Sequence, residues 1–202
     1  MFSWQEISRC ITSHVLSLIV LLTFLLLCGR YESFAQDKEA LIGDALAAAP
    51  PAIAKTAKVV DSDGTVLRQG SGSYTCFPTM PELRKKGKEP MCLDKTWVAW
   101  RSAWLNKRPF RPEHMGIGYM LAGDTGSSNI DPYVEAPTGS NQWVVEGPHV
   151  MVIVADVADL EEFSTDPSSG GAYVMWKGTP YAHIMVPTGA QSGAERRTRT
   201  KE

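Results

Sequence analysis

Residues 143–187, WVVEGPHVMVIVADVADLEEFSTDPSSGGAYVMWKGTPYAHIMVP, decide the fold. Apolar runs at 143–145, 149–154, 172–176 and 181–186 are short, rich in Val, Ile and Met, and bounded by Gly, Pro, Asp and Ser, the signature of strands between turns. Residues 156–163 read as a short helix with Leu160 and Phe163 inward. Strands here do not alternate with long helices, so the segment belongs to an antiparallel or mixed sheet.

Upstream, residues 93–106 carry Leu93, Trp97, Trp100 and Trp104 at the spacing of one helical stripe, with Asp94 placed to cap the helix and Pro109 to stop its continuation. The stripe reads first as core. Residues 38–48 are rich in helix formers, and Pro50-Pro51 ends that helix. Residues 58–60 and 65–67 flank Asp61-Ser62-Asp63-Gly64 as a hairpin. Residues 74–77 and 116–121 read as further strands, 78–91 as an exposed loop, and 123–141 as a long irregular connection of the kind often tied to function. The expected fold class is α+β: a single domain over residues 36–187, a mainly antiparallel or mixed sheet, and two or three short helices.

Two segments, Pro148-His149-Val150-Met151 and Ala182-His183-Ile184-Met185, set a His two residues before a Met. On a strand, residues i and i+2 share a face, so each segment presents an imidazole beside a thioether. Together His149, Met151, His183 and Met185 form a candidate soft metal set suited to copper, and His149 and His183 are the candidate ligand-binding residues. Both lie near strand starts, which places the imidazoles at a sheet rim facing a cleft. His114-Met115 is adjacent rather than alternating, so its side chains diverge on a strand. The bland reading makes Met core packing and His a core hydrogen-bonder.

Other motifs carry less. Asp61 and Asp63 resemble the first motif of haloacid-dehalogenase-type phosphatases, which implies a nucleophile and an acid/base, but a turn explains Asp-Gly fully. A small calcium loop on the same residues lacks oxygens. Residues 123–129 offer backbone N–H groups to an anion without a basic partner, and Arg84 to Lys88 reads as a solvated loop. A hydrolase using His149 or His183 as acid/base, with Asp124, Asp131 or Asp156 as partner, is the enzymatic alternative, and a structural envelope protein the other. Catalytic residues are not assigned.

The uncharged apolar run at 15–28 is shorter than the ~20 residues that span a bilayer, and Ser33-Phe34-Ala35 follows. Residues 1–35 therefore read as a signal peptide cut before Gln36, which leaves no transmembrane span in the mature chain. A lipoprotein cut before Cys28 and an uncleaved anchor are the alternatives. Export implies a periplasmic or secreted protein, and in that compartment the remaining cysteines, Cys76 and Cys92, read as a disulfide. A formal net charge of −2 gives no footprint for nucleic acid, so the expected partner is a small molecule or a metal. Residues 188–202 read as a disordered tail.

Between Tyr74 and Pro187 the chain resembles an uncharacterised family of exported bacterial proteins. The strings that carry the resemblance are Tyr74-Thr75-Cys76, Met91-Cys92-Leu93-Asp94, Gly118-Tyr119-Met120-Leu121, Ser128-Asn129-Ile130-Asp131-Pro132, Gly147-Pro148-His149 and 173–187. The resemblance implies export and a single domain, and it carries no catalytic residue.

Overall fold

Asp94 starts the helix that organises this molecule. In the computed structural model, which describes residues 36–189, its Oδ1 accepts the Trp97 amide at 2.9 Å and caps helix α3, Lys95–Leu105. Its Oδ2 accepts the amide of Ile117, which ties the helix start to a neighbouring strand. Such a cap contributes about 1 kcal/mol. The helix stripe packs as the spacing predicts: Trp97 and Trp100 are buried and Trp104 is half-buried.

Contacts divide the chain after Ala40. Of the first unit, residues 36–40 are described; they are helical and exposed. The second unit begins with helical residues 41–46 (α1) and a short helix α2, Pro51–Thr56, opened by Pro51. The leader expected over 1–35 and the tail beyond 189 lie outside the described residues.

The main sheet holds β1 (Lys58–Val60), β2 (Val66–Arg68), β3 (Thr75–Phe77), β4 (Met91–Leu93), β5 (Gly116–Met120), β8 (His149–Ile153), β9 (Tyr173–Met175) and β10 (His183–Pro187). Their order is β2-β1-β3-β4-β5-β8-β10-β9, with β1 and β3 the parallel pair. The remaining pairs are antiparallel, so the α+β class with a mixed sheet stands. The strand expected at 143–145 pairs outside this sheet: β7 (Trp143–Val144) joins β6 (Ser127–Ser128), which lies in the long connection, as a separate ribbon.

α3 covers one face of the sheet, over a core that includes Leu93, Met120, Met151, Met175 and Met185. The other face packs Val59, Cys76 and Cys92 against Ile42, Ala45 and Ala48 at one end. At the other end Val174 and Ile184 meet Leu160. Leu160 belongs to a 3₁₀ turn, Val157–Leu160, capped by Asp156, where the sequence predicts a longer helix. The short turn leaves Phe163 37% exposed rather than inward. Cys76 and Cys92 stand directly opposite each other on β3 and β4, with their sulfurs at bonding distance, 2.07 Å. A bridge over that loop length stabilises the fold by roughly 3 kcal/mol in the chain-entropy account.

Glycines in β5 let α3 approach the sheet. A Cβ at Gly118 would stand 3.0 Å from the Met151 methyl and 3.1 Å from Leu93 Cδ2. Gly118→Ala is therefore expected to overpack this layer and cost about 1–3 kcal/mol, read as a lower urea midpoint at unchanged slope. An unchanged midpoint would show that the layer has room to spare.

Candidate functional site

The β8–β10 ladder puts Met185 opposite Met151 and Pro187 opposite His149. Residues two apart share a face, so His149, Met151, His183 and Met185 all point to the side that α3 covers. The outer neighbours extend the set, because Met120 of β5 stands opposite His149 and Met175 of β9 stands opposite His183. Met91, two residues before Leu93 on β4, packs against the same core. The sequence-predicted residues are thus brought onto one face, and three further methionines join them.

Their placement differs from the expected rim. His149 is 0% exposed and His183 2%, both beneath α3. The antiparallel register also sets the two histidines at opposite ends of the Met151–Met185 pair rather than in front of it.

The imidazoles are held alike. His149 Nδ1 lies 2.7 Å from the Gly147 carbonyl oxygen, and His183 Nδ1 lies 2.9 Å from that of Tyr181. A carbonyl accepts only, so each Nδ1 carries the proton and each Nε2 presents a lone pair. His149 Nε2 is buried without a hydrogen-bond partner. Leaving such an acceptor unpaired costs about 1–3 kcal/mol. Burial lowers the pKa of both rings, His183 to about 4, opposed by the carbonyl contacts and, for His183, reinforced by His149. Both are neutral at neutral pH, the form that ligates a metal.

A cavity of about 60 Å³ runs between the sheet and α3, lined by both histidines, by Met91, Met120, Met151, Met175 and Met185, and by indoles. Glu89, Asp124 and Ser127 supply its other polar lining. Asp124 Oδ1 accepts the amides of Glu146 and Gly126, and burial, helped by the nearby Glu89 and Glu146, pushes the carboxyl up to about 7. Tyr173 donates its hydroxyl to Glu146 Oε1 at 2.8 Å in the same buried region.

Three indoles enclose His183 edge-on. Trp97, Trp100 and Trp176 have ring centroids 5.2, 5.5 and 5.2 Å from it at near-perpendicular angles. Trp176 sits at φ 58°, a left-handed conformation costly for a bulky residue. Its surroundings impose that conformation: its amide donates to Asn129 O, its indole N–H donates to Ser128 O, and its ring stacks on Trp100 at 2°. The glycine-rich connection, read from sequence as a candidate anion cradle, thus positions an aromatic wall of the cavity.

The remaining candidates do not gather here. Asp63 accepts from the amide and hydroxyl of Thr65, and Asp61 from the Ser62 amide with Arg84 3.8 Å away, so both carboxylates serve their own hairpin. His114 and Met115 are exposed. Asp131 and Asp156 are exposed, Asp156 capping its turn. Among the described residues neither histidine hydrogen-bonds a carboxylate. No group of three or more His, Cys, Asp or Glu placed to hold a metal occurs among them either, so any metal chemistry here falls to thioethers with imidazoles. Compared with protein-family models, with curated proteins and with solved structures, the chain matches none.

Proposed function

We propose that this chain is an exported binding protein for a soft metal ion, copper as Cu(I), held between the sheet and α3 by imidazole and thioether. The observation that carries the reading is the buried, partnerless Nε2 of His149, its tautomer set by Gly147 O and its surroundings rich in methionine. Metal-ligating histidines commonly donate their second N–H to a carbonyl in this way. Thioether sulfur with imidazole selects Cu(I) over harder cations. An unpaired lone pair inside an apolar core destabilises the metal-free chain, and coordination removes that cost.

Export rests on the leader reading of residues 1–35, the resemblance noted above and a cysteine pair at bonding distance. No helix among the described residues is long and apolar enough to cross a membrane. A small hydrolase is the weaker reading, since an acid/base histidine needs an orienting partner and a reachable cleft.

Competition titration of Cu(I), kept reduced by ascorbate against a chromophoric Cu(I) chelator, tests the proposal. The wild-type chain is expected to take Cu(I) from the chelator, and His149→Ala with His183→Ala to bind at least a hundredfold more weakly. Zn²⁺ is expected to bind neither protein tightly. Equal Cu(I) uptake by wild type and double variant would remove the metal reading and leave both histidines as core hydrogen-bonders.

A further inference from the structure

The antiparallel ladder has an internal two-fold relation that the His-x-Met strings alone do not reveal. Met151 and Met185 are directly opposite and flank the local axis, which exchanges them. Rotation about it carries His149 to His183, and Met120, opposite His149, to Met175, opposite His183. Even the supporting contacts correspond, since each Nδ1 meets the carbonyl two residues earlier in its own chain.

The same register keeps the imidazoles apart. His149 faces Pro187, and Pro187 lies four residues along β10 from His183. At about 3.3 Å per residue the separation along the strands is about 13 Å. Side chains stand roughly perpendicular to a sheet, so the two rings rise from opposite ends of the Met151–Met185 pair, whereas a metal–nitrogen bond spans about 2 Å. On this register each nitrogen is better placed for an ion of its own than for a shared one. Each histidine has its own thioethers: Met120 and Met151 beside His149, Met175 and Met185 beside His183.

From this geometry, resting on the soft-metal reading above, we infer that the chain binds two Cu(I) ions in two related half-sites that adjoin at the Met151–Met185 pair. The half-sites differ in their outer surroundings. The three indoles enclose the His183 end. Glu146, whose amide meets Asp124, immediately precedes the Gly147-Pro148-His149 turn and brings the carboxylates toward the other end.

Stoichiometric titration of the full chain with Cu(I) under ascorbate, with bound copper measured by atomic absorption after desalting, decides the matter. Wild type is expected to retain two equivalents, His149→Ala and His183→Ala one each. Met120→Leu and Met175→Leu keep volume and fold, so each is expected to weaken one equivalent at least tenfold and leave the other unchanged. One equivalent in wild type, lost in either single histidine variant, would overturn the two-site inference while leaving the soft-metal reading intact. Two equivalents unaffected by both Met→Leu variants would place the ions elsewhere and overturn it as well. No retained copper in wild type would remove both.

Discussion

Trp100→Ala is expected to lower the unfolding free energy by about 3–5 kcal/mol, the range for truncating a buried aromatic side chain. Trp100 joins more of the candidate site than any other residue of α3. Its ring stacks against Trp176 at 5.6 Å and Trp104 at 6.0 Å, meets Trp97 at 4.8 Å and stands edge-on to His183 and Tyr181. Its indole N–H donates to Tyr181 O at 3.3 Å, the carbonyl that also fixes His183 Nδ1. Removal therefore leaves a large cavity and loosens the left-handed Trp176, which loses one of its two stacking partners and keeps Trp104. Urea unfolding followed by tryptophan fluorescence measures the loss, and Trp104→Ala, at the half-buried end of the stripe, is the comparison. A smaller effect is expected there, because less area is removed from contact, even though the indole hydrogen bond to Pro132 O is lost with the ring. If both truncations cost under about 1 kcal/mol, the stripe is a surface for a ligand or partner and not the core.

The helix and its caps were legible because their signals are local. Trp spacing, Asp94 and the hairpin at Asp61 to Gly64 each report on a few neighbouring residues, and each formed as read. Strand positions were also legible to within a residue or two, as for β8 and β10. What the sequence hides is pairing. The period of two places His149 with Met151 and His183 with Met185 but does not say whether the two strands run parallel or antiparallel. Parallel pairing sets the histidines side by side and serves one ion; the observed antiparallel pairing separates them by the Met151–Met185 pair. Met120 and Met175 were invisible for the same reason, since they join the site only through strand order. A pattern was available in retrospect: methionine recurs in β4, β5, β8, β9 and β10, whereas Val, Ile or Leu would pack a sheet as well. Trp176 escaped because a left-handed tryptophan is imposed by Asn129 and Ser128 from a distant loop.

Asp124→Asn is expected to stabilise the metal-free chain at pH 8 by about 2–4 kcal/mol and to leave it unchanged below about pH 4. Both hydrogen bonds to Oδ1 come from backbone amides, of Glu146 and Gly126, and an asparagine oxygen accepts them equally well. What changes is the buried charge. In the folded chain the carboxyl titrates at about 7, against an ordinary 3.8. Between those values the native state keeps a proton that the unfolded chain has released, so native stability falls as pH rises from about 4 to about 7. Above 7 the penalty is complete, and asparagine removes it. The histidines act with the opposite sign. His183 titrates at about 4 when folded, against an ordinary 6.5, so the unfolded chain binds the extra proton and stability rises with pH over about 4 to 6.5. His149 is shifted the same way. The two slopes oppose each other in wild type and flatten its profile between pH 4 and 6.5. Removing the Asp124 titration uncovers the histidine slope, so the variant is expected to gain stability more steeply from pH 4 to pH 6.5 than wild type does. Urea midpoints at pH 4, 5, 6, 7 and 8 for both proteins give the comparison. A constant offset between the two curves at every pH would mean that Asp124 is ionised throughout and that its burial among Glu89 and Glu146 is relieved by solvent.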